Sequence, residues 1–296
     1  MRKFRIGIAL GGGGVRGLAH IGILSVLEKN GIVPDAISGS SMGAVVGAMY
    51  AADPDSGRLR KKVETFFSTN SIKDISGYFS KTVPKRPFGR VLSLAKQFFI
   101  INRTAVRPSI LTEQQVEKLF SGLPLPEKFS SLKIPFCAVA TNIGRGIEAD
   151  FRAGDLRKAV LASSSIQGIF PPVEINGDFF LDGGTVNSVP ISPIRKYCDF
   201  VIACDVRPKR RIIPSFKKGL DVLARTDAIS SYQLVDLQLK QADFIIRPDV
   251  SGFHWANFKR FAACVEKGEI EASGKIETLR KQIRRKKIAS FAGRLF

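Results

Sequence analysis

The sequence predicts an α/β protein of three layers (α/β/α), in which helices cover both faces of a central, mostly parallel sheet. Within the first fifty residues a strand, a glycine-rich loop, a helix, a strand, a tight turn and a helix succeed one another. Such alternation is typical of parallel sheets, whose strands need helical crossovers. In addition, strand-like runs recur along the chain, at about 134–141, 147–151, 178–181, 199–205 and 243–247.

The opening elements follow from local signals. The run from Phe4 to Leu10 is short, rich in β-forming residues and ends at four consecutive glycines, which predicts the first strand. Apolar residues then recur with helical spacing until Asn30-Gly31, a typical stop, which predicts a helix over about 18–29. The same reasoning predicts a strand at 36–38 and helices at about 44–52, 155–164, 217–240 and 258–287.

Residues 53–112 are poor in strand signals and rich in Lys, Arg, Phe and Pro. They predict a basic, mostly helical cap inserted into the fold. Because no repeat or low-complexity linker divides the chain, we predict one domain over 1–296. Its core is expected at about 4–205, and a C-terminal helical extension at about 250–296.

Composition limits the class of protein. Of 296 residues 44% are hydrophobic, enough for a core, and the longest uncharged run, 36–52, is threaded with Gly and Ser. A membrane-spanning helix needs ~20 mostly apolar residues. The basic N-terminus imitates a signal peptide but lacks a convincing cleavage site. We expect a cytoplasmic protein, peripheral at most on the cytoplasmic face of the membrane.

Metal and redox chemistry find no support in the sequence. The four cysteines are scattered without a CxxC pair, and the only histidines are His20 and His254. This pattern suggests neither a metal cage nor a disulfide framework. We expect no cofactor and no metal.

Positive charge is the strongest compositional signal. The chain has 46 Lys and Arg against 26 Asp and Glu, a net charge of +20, concentrated in residues 58–111 (+10), 207–225 (+6) and 275–296 (+7). Such patches are either solvated surface or docking sites for a polyanion, namely nucleic acid or an anionic membrane. No nucleic-acid-binding motif is recognisable. The anionic membrane surface is therefore the expected partner.

One segment of the first patch has the pattern of an interfacial helix. Over about 88–101 the residues Phe88, Val91, Leu92, Ala95, Phe98 and Phe99 recur at helical spacing. Arg90 and Lys96 lie off this apolar stripe. Such a helix can lie in a membrane surface, or it can pack its stripe on the core. The sequence leaves both open.

The segment Gly39-Ser40-Ser41-Met42-Gly43 matches the pattern G-x-S-x-G. A nucleophilic serine on a sharp strand-to-helix turn takes strained dihedral angles, and its glycine neighbours let strand and helix approach closely. The following helix N-terminus offers N–H groups to developing negative charge. A Gly- and Ser-rich turn is the plain alternative, but the predicted strand before Ser41 and helix after it favour a catalytic serine.

A second glycine cluster follows the first strand. Consecutive glycines after a strand expose N–H groups that can converge on an anion. Gly12, Gly14 and Gly17 also satisfy G-x-G-x-x-G, the dinucleotide-binding fingerprint. That fingerprint requires an acidic residue at the end of the second strand, whereas Asp35 lies before the start of that strand. An oxyanion-binding loop is therefore favoured over a dinucleotide site.

The general base is not fixed by these patterns. Asp182-Gly183-Gly184 places a carboxylate at a predicted strand end, but a turn Asp is common. Taken alone, it is not distinguished from Asp150, Asp155 or Asp178. The order Ser41, Asp182, His254 fits a Ser–Asp–His triad, although one preceding strand is too few for an α/β-hydrolase sheet. His20 is expected to be a packed, hydrogen-bonded residue.

Together the motifs resemble the patatin-like phospholipase family. The resemblance rests on G-G-G-x-R-G, the G-x-S-x-G turn, A-S-S-S-I-Q-G-I-F-P-P and D-G-G, in family order over about residues 4–205. Two positions depart from the family pattern: Gly11 stands where Asp is frequent, and Gln167 where Pro is usual. Neither departure touches the expected catalytic residues.

The resemblance implies a serine hydrolase with a Ser–Asp dyad and no catalytic histidine. Ser41 is the implied nucleophile and Asp182 the base. The amides of Gly12, Gly13 and Gly14 would form the oxyanion hole, and residues 162–172 would line the site. The implied supporting residues are Arg16, Gly39, Gly43, Gly183 and Gly184.

We therefore expect an acyl-ester hydrolase acting on lipid, of phospholipase A, lysophospholipase or carboxylesterase type. Three alternatives stay open at this point. They are a triad esterase using His254, a basic module that binds nucleic acid or an anionic surface, and a nucleotide-dependent oxidoreductase.

Overall fold

The computed structural model describes residues 3–68 and 106–292. Within them eight strands form one sheet: β1 (Ile6–Leu10), β2 (Ala36–Ser40), β3 (Phe136–Asn142), β4 (Ile147–Phe151), β5 (Val173–Ile175), β6 (Asp178–Asp182), β7 (Phe200–Cys204) and β8 (Phe244–Ile246). The order is β5-β6-β3-β2-β1-β7-β8, and β4 pairs with β3. The five strands β3, β2, β1, β7 and β8 are parallel, whereas β4, β5 and β6 pair antiparallel.

The helices are α1 (Ala19–Lys29), α2 (Met42–Ala52), α3 (Ser56–Ser68), α4 (Glu113–Ser121), α5 (Leu156–Ser164), α6 (Ser192–Arg195), α7 (Gly219–Leu239) and α8 (Phe261–Ala292). Short 3-10 turns precede α1 and α8, at Gly14–Leu18 and Phe258–Arg260. The predicted elements are therefore present within a few residues of their expected ends. The short strand β5 and helices α4 and α6 were not predicted.

Side chains of β1 show how the layers form. Ile8 and Leu10 join the large core beneath α1, α2 and α8, while Ala9 between them joins a second core with residues of α6 and α7. All three side chains are fully buried. A central parallel strand is covered on both faces and therefore reads as a continuous apolar run. The predicted three-layer α/β class is confirmed.

The C-terminal region forms part of this arrangement. Helix α8 packs on α1 with backbone against backbone: a Cβ on Gly22 would collide with the Val265 carbonyl oxygen, and one on Gly268 with that of Ala19. Strand β8 extends the sheet beyond β7. Helix α8, which lies within the residues expected as an extension, thus packs on the core, and β8 precedes those residues.

The predicted insertion is described only in part. Its first residues form α3 as expected, whereas the amphipathic helix predicted at 88–101 lies outside the described residues. Of the helices in the described part of the chain, none combines the length and the apolar character needed to cross a bilayer.

Candidate active site

The sheet brings two strand ends together along β3. Strand β2 runs parallel to β3 and ends with Ser40 opposite Val139. Strand β6 runs antiparallel to β3 and ends with Asp182 opposite the next residue, Ala140. Because β4 occupies the other edge of β3, β2 and β6 meet end to end on one edge. The residue after β2 is Ser41, so this register places Ser41 beside Asp182.

Ser41 adopts the strained backbone of a nucleophile elbow. Its φ is 56° and its ψ is −127°, a region that non-glycine residues avoid at a cost of about 1–3 kcal/mol. The turn fits because its flanking residues have no side chain. A Cβ on Gly39 would overlap the Gly43 carbonyl, and one on Gly43 would overlap the Leu10 carbonyl. The predicted strand–turn–helix geometry is therefore present.

Asp182 is a buried carboxylate that faces Ser41. It is 6% exposed, and its Oδ1 accepts a hydrogen bond from the Gly184 amide at 2.7 Å. Burial raises the pKa of Asp182 to about 6, although the hydrogen bonds from the Ser41 hydroxyl and the Gly184 amide oppose this shift. Gly183 is required because a Cβ there would strike the Val139 carbonyl. A carboxylate with a pKa of about 6 can accept a proton near neutral pH.

The serine run at the end of α5 holds both residues in place, and the roles of its individual serines were not predicted. The Ser41 amide donates to the Ser163 carbonyl at 3.0 Å, and the Asp182 amide donates to the Ser165 carbonyl at 2.9 Å. The Ser163 hydroxyl donates to the Val139 carbonyl at 2.6 Å. One short segment thus fixes the distance between the elbow and the carboxylate.

The glycine loop after β1 lies against the elbow, since a Cβ on Gly12 would be 3.2 Å from Cβ of Ser41. The Gly12 amide donates to the Ser188 carbonyl at 2.8 Å. The amides of Gly13 and Gly14 donate to no acceptor within residues 3–68 and 106–292. Two of the three expected oxyanion donors therefore have no protein acceptor there.

The side chains of Arg16 and His20 hold this loop through its backbone carbonyls. The Arg16 Nε donates to the Gly13 carbonyl at 3.1 Å, and His20 Nε2 lies 2.8 Å from the Gly11 carbonyl oxygen. His20 is fully buried, and burial lowers its pKa to about 4. A neutral imidazole donating to Gly11 fits this geometry. His20 is the packed, hydrogen-bonded residue that the sequence suggested.

The other candidate bases have structural partners elsewhere. Asp155 accepts from the Lys158 amide and begins α5, Asp178 pairs with Arg145, and Asp150 pairs with Arg152. His254 accepts from the Ala256 amide in the loop before α8. A triad would place an imidazole between serine and acid, whereas here the register of β2 and β6 places Ser41 next to Asp182.

The dinucleotide alternative lacks its acidic residue. Asp35 precedes β2, where its carboxylate accepts from the Ile6 amide at 2.9 Å and pairs with Lys3. It therefore lies at the amino end of the strand, opposite the glycine loop. The position that would hold a ribose is occupied by the elbow.

An apolar cleft opens at Ser41. It encloses about 760 Å³ including its open mouth. The predicted segment 162–172 contributes Ser164, Ile166, Ile169 and Phe170 to its wall. The remaining lining residues are Gly14, Met42, Val45, Phe66, Phe67, Leu119, Phe120, Leu123, Trp255, Ala256 and Phe258. Among residues 3–68 and 106–292 no lining residue carries a charge, so this part of the cleft suits a hydrocarbon chain.

Comparison with known proteins agrees with this geometry. The chain is 33% identical over 190 residues to an uncharacterised NTE family protein of Mycobacterium bovis, covering 64% of this chain and 45% of that protein. It is 34% identical over 192 residues to lysophospholipase NTE1 of Cryptococcus neoformans, covering 65% of this chain and 10% of that protein. The chain thus spans less than half the length of these relatives.

A solved structure shares the fold. VipD from Legionella pneumophila superposes with a TM-score of 0.50 and 15% identity, over 93% of this chain and 67% of that one. The profile of the patatin-like phospholipase family matches residues 8–194, which include Ser41, Asp182 and the glycine loop. The resemblance drawn from the four motifs is confirmed: this chain belongs to the patatin-like phospholipase family.

Proposed function

We propose that this chain is a serine hydrolase that cleaves acyl esters of lipids. The observation that carries the proposal is that the register of β2 and β6 places Ser41 beside the buried Asp182 carboxylate, with Ser41 on the wall of an apolar cleft. A nucleophile with an adjacent base is the signature of covalent acyl transfer. The uncharged cleft accommodates the acyl chain of the substrate.

The reaction proceeds in two acyl transfers. The Ser41 oxygen attacks the ester carbonyl while its proton passes to Asp182, and the carbonyl oxygen becomes an oxyanion facing the Gly13 and Gly14 amides. The ester C–O bond then breaks, and the leaving alcohol takes the proton from Asp182. Water next attacks the acyl-enzyme, losing its proton to Asp182. The fatty acid departs, and Ser41 recovers that proton.

The substrate class follows from the cleft and from the relatives. The NTE1 relative is named a lysophospholipase, and a single-chain lysophospholipid fits an apolar cleft with an open mouth. We therefore propose lysophospholipid or phospholipid as substrate, presented by an anionic membrane surface.

A fluorophosphonate probe tests the proposed nucleophile. It should label the full chain once, and peptide mass spectrometry should place the adduct on Ser41. Neighbouring serines provide an internal control, because Ser40 and Ser163 are fully buried. An adduct on any other serine, or no labelling of folded protein, contradicts the proposal.

The rate should depend on the ionisation of Asp182. Only its carboxylate accepts the proton, and burial raises its pKa to about 6. We expect kcat/KM for a soluble ester to rise with pH to a plateau above about pH 7 and to fall about tenfold per unit below pH 6. The measurement is a pH profile between 4.5 and 8.5, with circular dichroism at each pH. A limb centred near pH 4 would show that the pKa of the base is not raised, and a rate independent of pH over this range would show that Asp182 is not the base.

A further inference from the structure

We propose that residues 209–223, here called the docking arm, form the surface by which the protein binds an anionic membrane beside the mouth of its cleft. This inference deepens the proposed function and rests on it only in taking a lipid as the substrate. The arm connects β7 to α7 and includes the first turn of that helix. Every residue from 209 to 224 is exposed.

The arm presents large apolar side chains to solvent. Ile212 is 96% exposed, Phe216 46%, Leu220 58% and Leu223 65%. Single exposed apolar residues are common, but several in one short segment mark an interaction surface. These four fall within twelve consecutive residues. The arm therefore has the apolar component of an interfacial contact.

The positive charge of the arm indicates which kind of partner it binds. Lys209 pairs with Asp249, and Arg210 with Asp236. By contrast, Arg211, Lys217 and Lys218 form no ion pair with a carboxylate of the described segments. A second copy of the chain would bring equal positive charges together. An anionic lipid surface neutralises them while receiving the apolar side chains.

The strand that leads to the arm ends beside the glycine loop. The last residue of β7, Cys204, accepts a hydrogen bond from the Gly11 amide through its carbonyl. Farther along, Arg211 Nη2 donates to the Ser251 carbonyl at 2.7 Å. That loop continues to Trp255, which lines the cleft. A membrane on the arm would thus lie next to the opening that receives the acyl chain.

The C-terminal cationic patch provides a matched control at the opposite end of the parallel strands. Near the end of α8, Lys286 pairs with Asp243. Asp243 immediately precedes β8 and so marks the amino end of the parallel strands, whereas the arm follows the carboxyl end of β7. The neighbouring Arg284 and Arg285 are exposed, and Ile288 is 60% exposed.

Co-sedimentation with sucrose-loaded vesicles of phosphatidylcholine and phosphatidylglycerol tests the proposal. All variants carry Ser41→Ala, so binding is measured without turnover. Lys217→Gln/Lys218→Gln should weaken partitioning about 30-fold at low salt. Ile212→Ser/Phe216→Ser should weaken it at least tenfold. The controls Arg284→Gln/Arg285→Gln and Ile288→Ser should bind within about threefold of the parent protein.

A site-specific label gives a second measurement that does not depend on the double variants. The native cysteines are buried, so an environment-sensitive dye should react selectively with Ile212→Cys. Its emission should shift to the blue on addition of anionic vesicles, whereas the same dye on Ile288→Cys should not respond.

Three results would overturn the proposal. They are a lack of response at position 212, equal binding by arm and control variants, and a dimer in light scattering that Ile212→Ser/Phe216→Ser dissociates while vesicles are not bound. Failure of the proposed function has a different signature, because fluorophosphonate labelling of Ser41 needs no membrane. If the protein binds vesicles through the arm but is not labelled at Ser41, the docking surface is supported and the hydrolase function is contradicted.

Discussion

Ser41→Ala and Asp182→Asn are each expected to lower the turnover of a p-nitrophenyl ester by about 10⁴-fold or more. The first removes the attacking oxygen. The second leaves an amide that cannot accept the serine proton, although it keeps the shape of the carboxylate. Because the two side chains act as one unit, the double variant should lose no more activity than either single one.

The chain offers close controls for both substitutions. Ser40→Ala removes the adjacent hydroxyl, whose oxygen has no hydrogen-bond partner in residues 3–68 and 106–292. Asp178→Asn neutralises a half-buried carboxylate at the start of the same strand β6. Both should stay within about threefold of wild type. His254→Gln should also retain turnover. If this variant were inactive, the Ser–Asp–His triad would again be the favoured hypothesis.

Stability measurements separate lost catalysis from lost fold in the Asp182 variant. Burial raises the pKa of this carboxyl from 3.8 to about 6, so the folded state favours the protonated form. The resulting stabilisation is fully present below the unfolded pKa and is lost as pH rises through 6. At pH 7.5 the neutral Asn should therefore raise the free energy of unfolding, by up to about 3 kcal/mol. An inactive variant with a raised Tm would place Asp182 in catalysis.

Features of the site that depend on local backbone were predictable from sequence. Gly39 and Gly43 are required by contacts within one strand–turn–helix unit, and that unit is readable as a five-residue pattern. The same holds for the glycine loop, which follows its strand directly. Residue types that tolerate close approach or unusual dihedrals carry this information themselves.

Features that depend on distant segments were not predictable. Ser163 and Ser165 support Ser41 and Asp182 through backbone carbonyls, which any residue type could supply. The end-to-end meeting of β2 and β6 depends on their register along β3, and strand register is a tertiary property. Spacing alone could not choose Asp182 over Asp178, because both lie on β6 and only one reaches Ser41.

The same distinction applies to the C-terminal helix. From the sequence, the long basic helix near residue 290 was interpreted as an extension of the domain. The decisive contacts are those of Gly22 of α1 with the Val265 carbonyl of α8, and of Gly268 of α8 with the Ala19 carbonyl of α1, each more than two hundred residues apart in sequence. Each glycine alone is only a weak helix position. The role of the two glycines is clear only in the folded structure, where they let the two helices pack backbone against backbone.

The glycine loop should be the second most sensitive part of the site. Gly14 has φ of +56°, and a Cβ there would lie 2.5 Å from the Trp255 carbonyl oxygen. We expect Gly14→Ala to lower kcat by about 10²–10³-fold, the cost of losing one oxyanion donor. KM should change little, because the amide acts on the transition state. Steady-state kinetics on a soluble ester measure both constants.

Two further substitutions show whether displacement of the loop is the cause. Gly31→Ala introduces similar backbone strain, with φ of +69° and no atom within 4 Å of the new Cβ, and should leave kcat unchanged. In Gly13→Ala the new Cβ would lie 2.8 Å from Cγ2 of Val206, a side chain that can be shortened. Gly13→Ala/Val206→Ala should therefore recover much of the kcat lost by Gly13→Ala alone. If the double variant stays as slow as the single one, or if Gly14→Ala turns over like wild type, the loop does not hold the oxyanion.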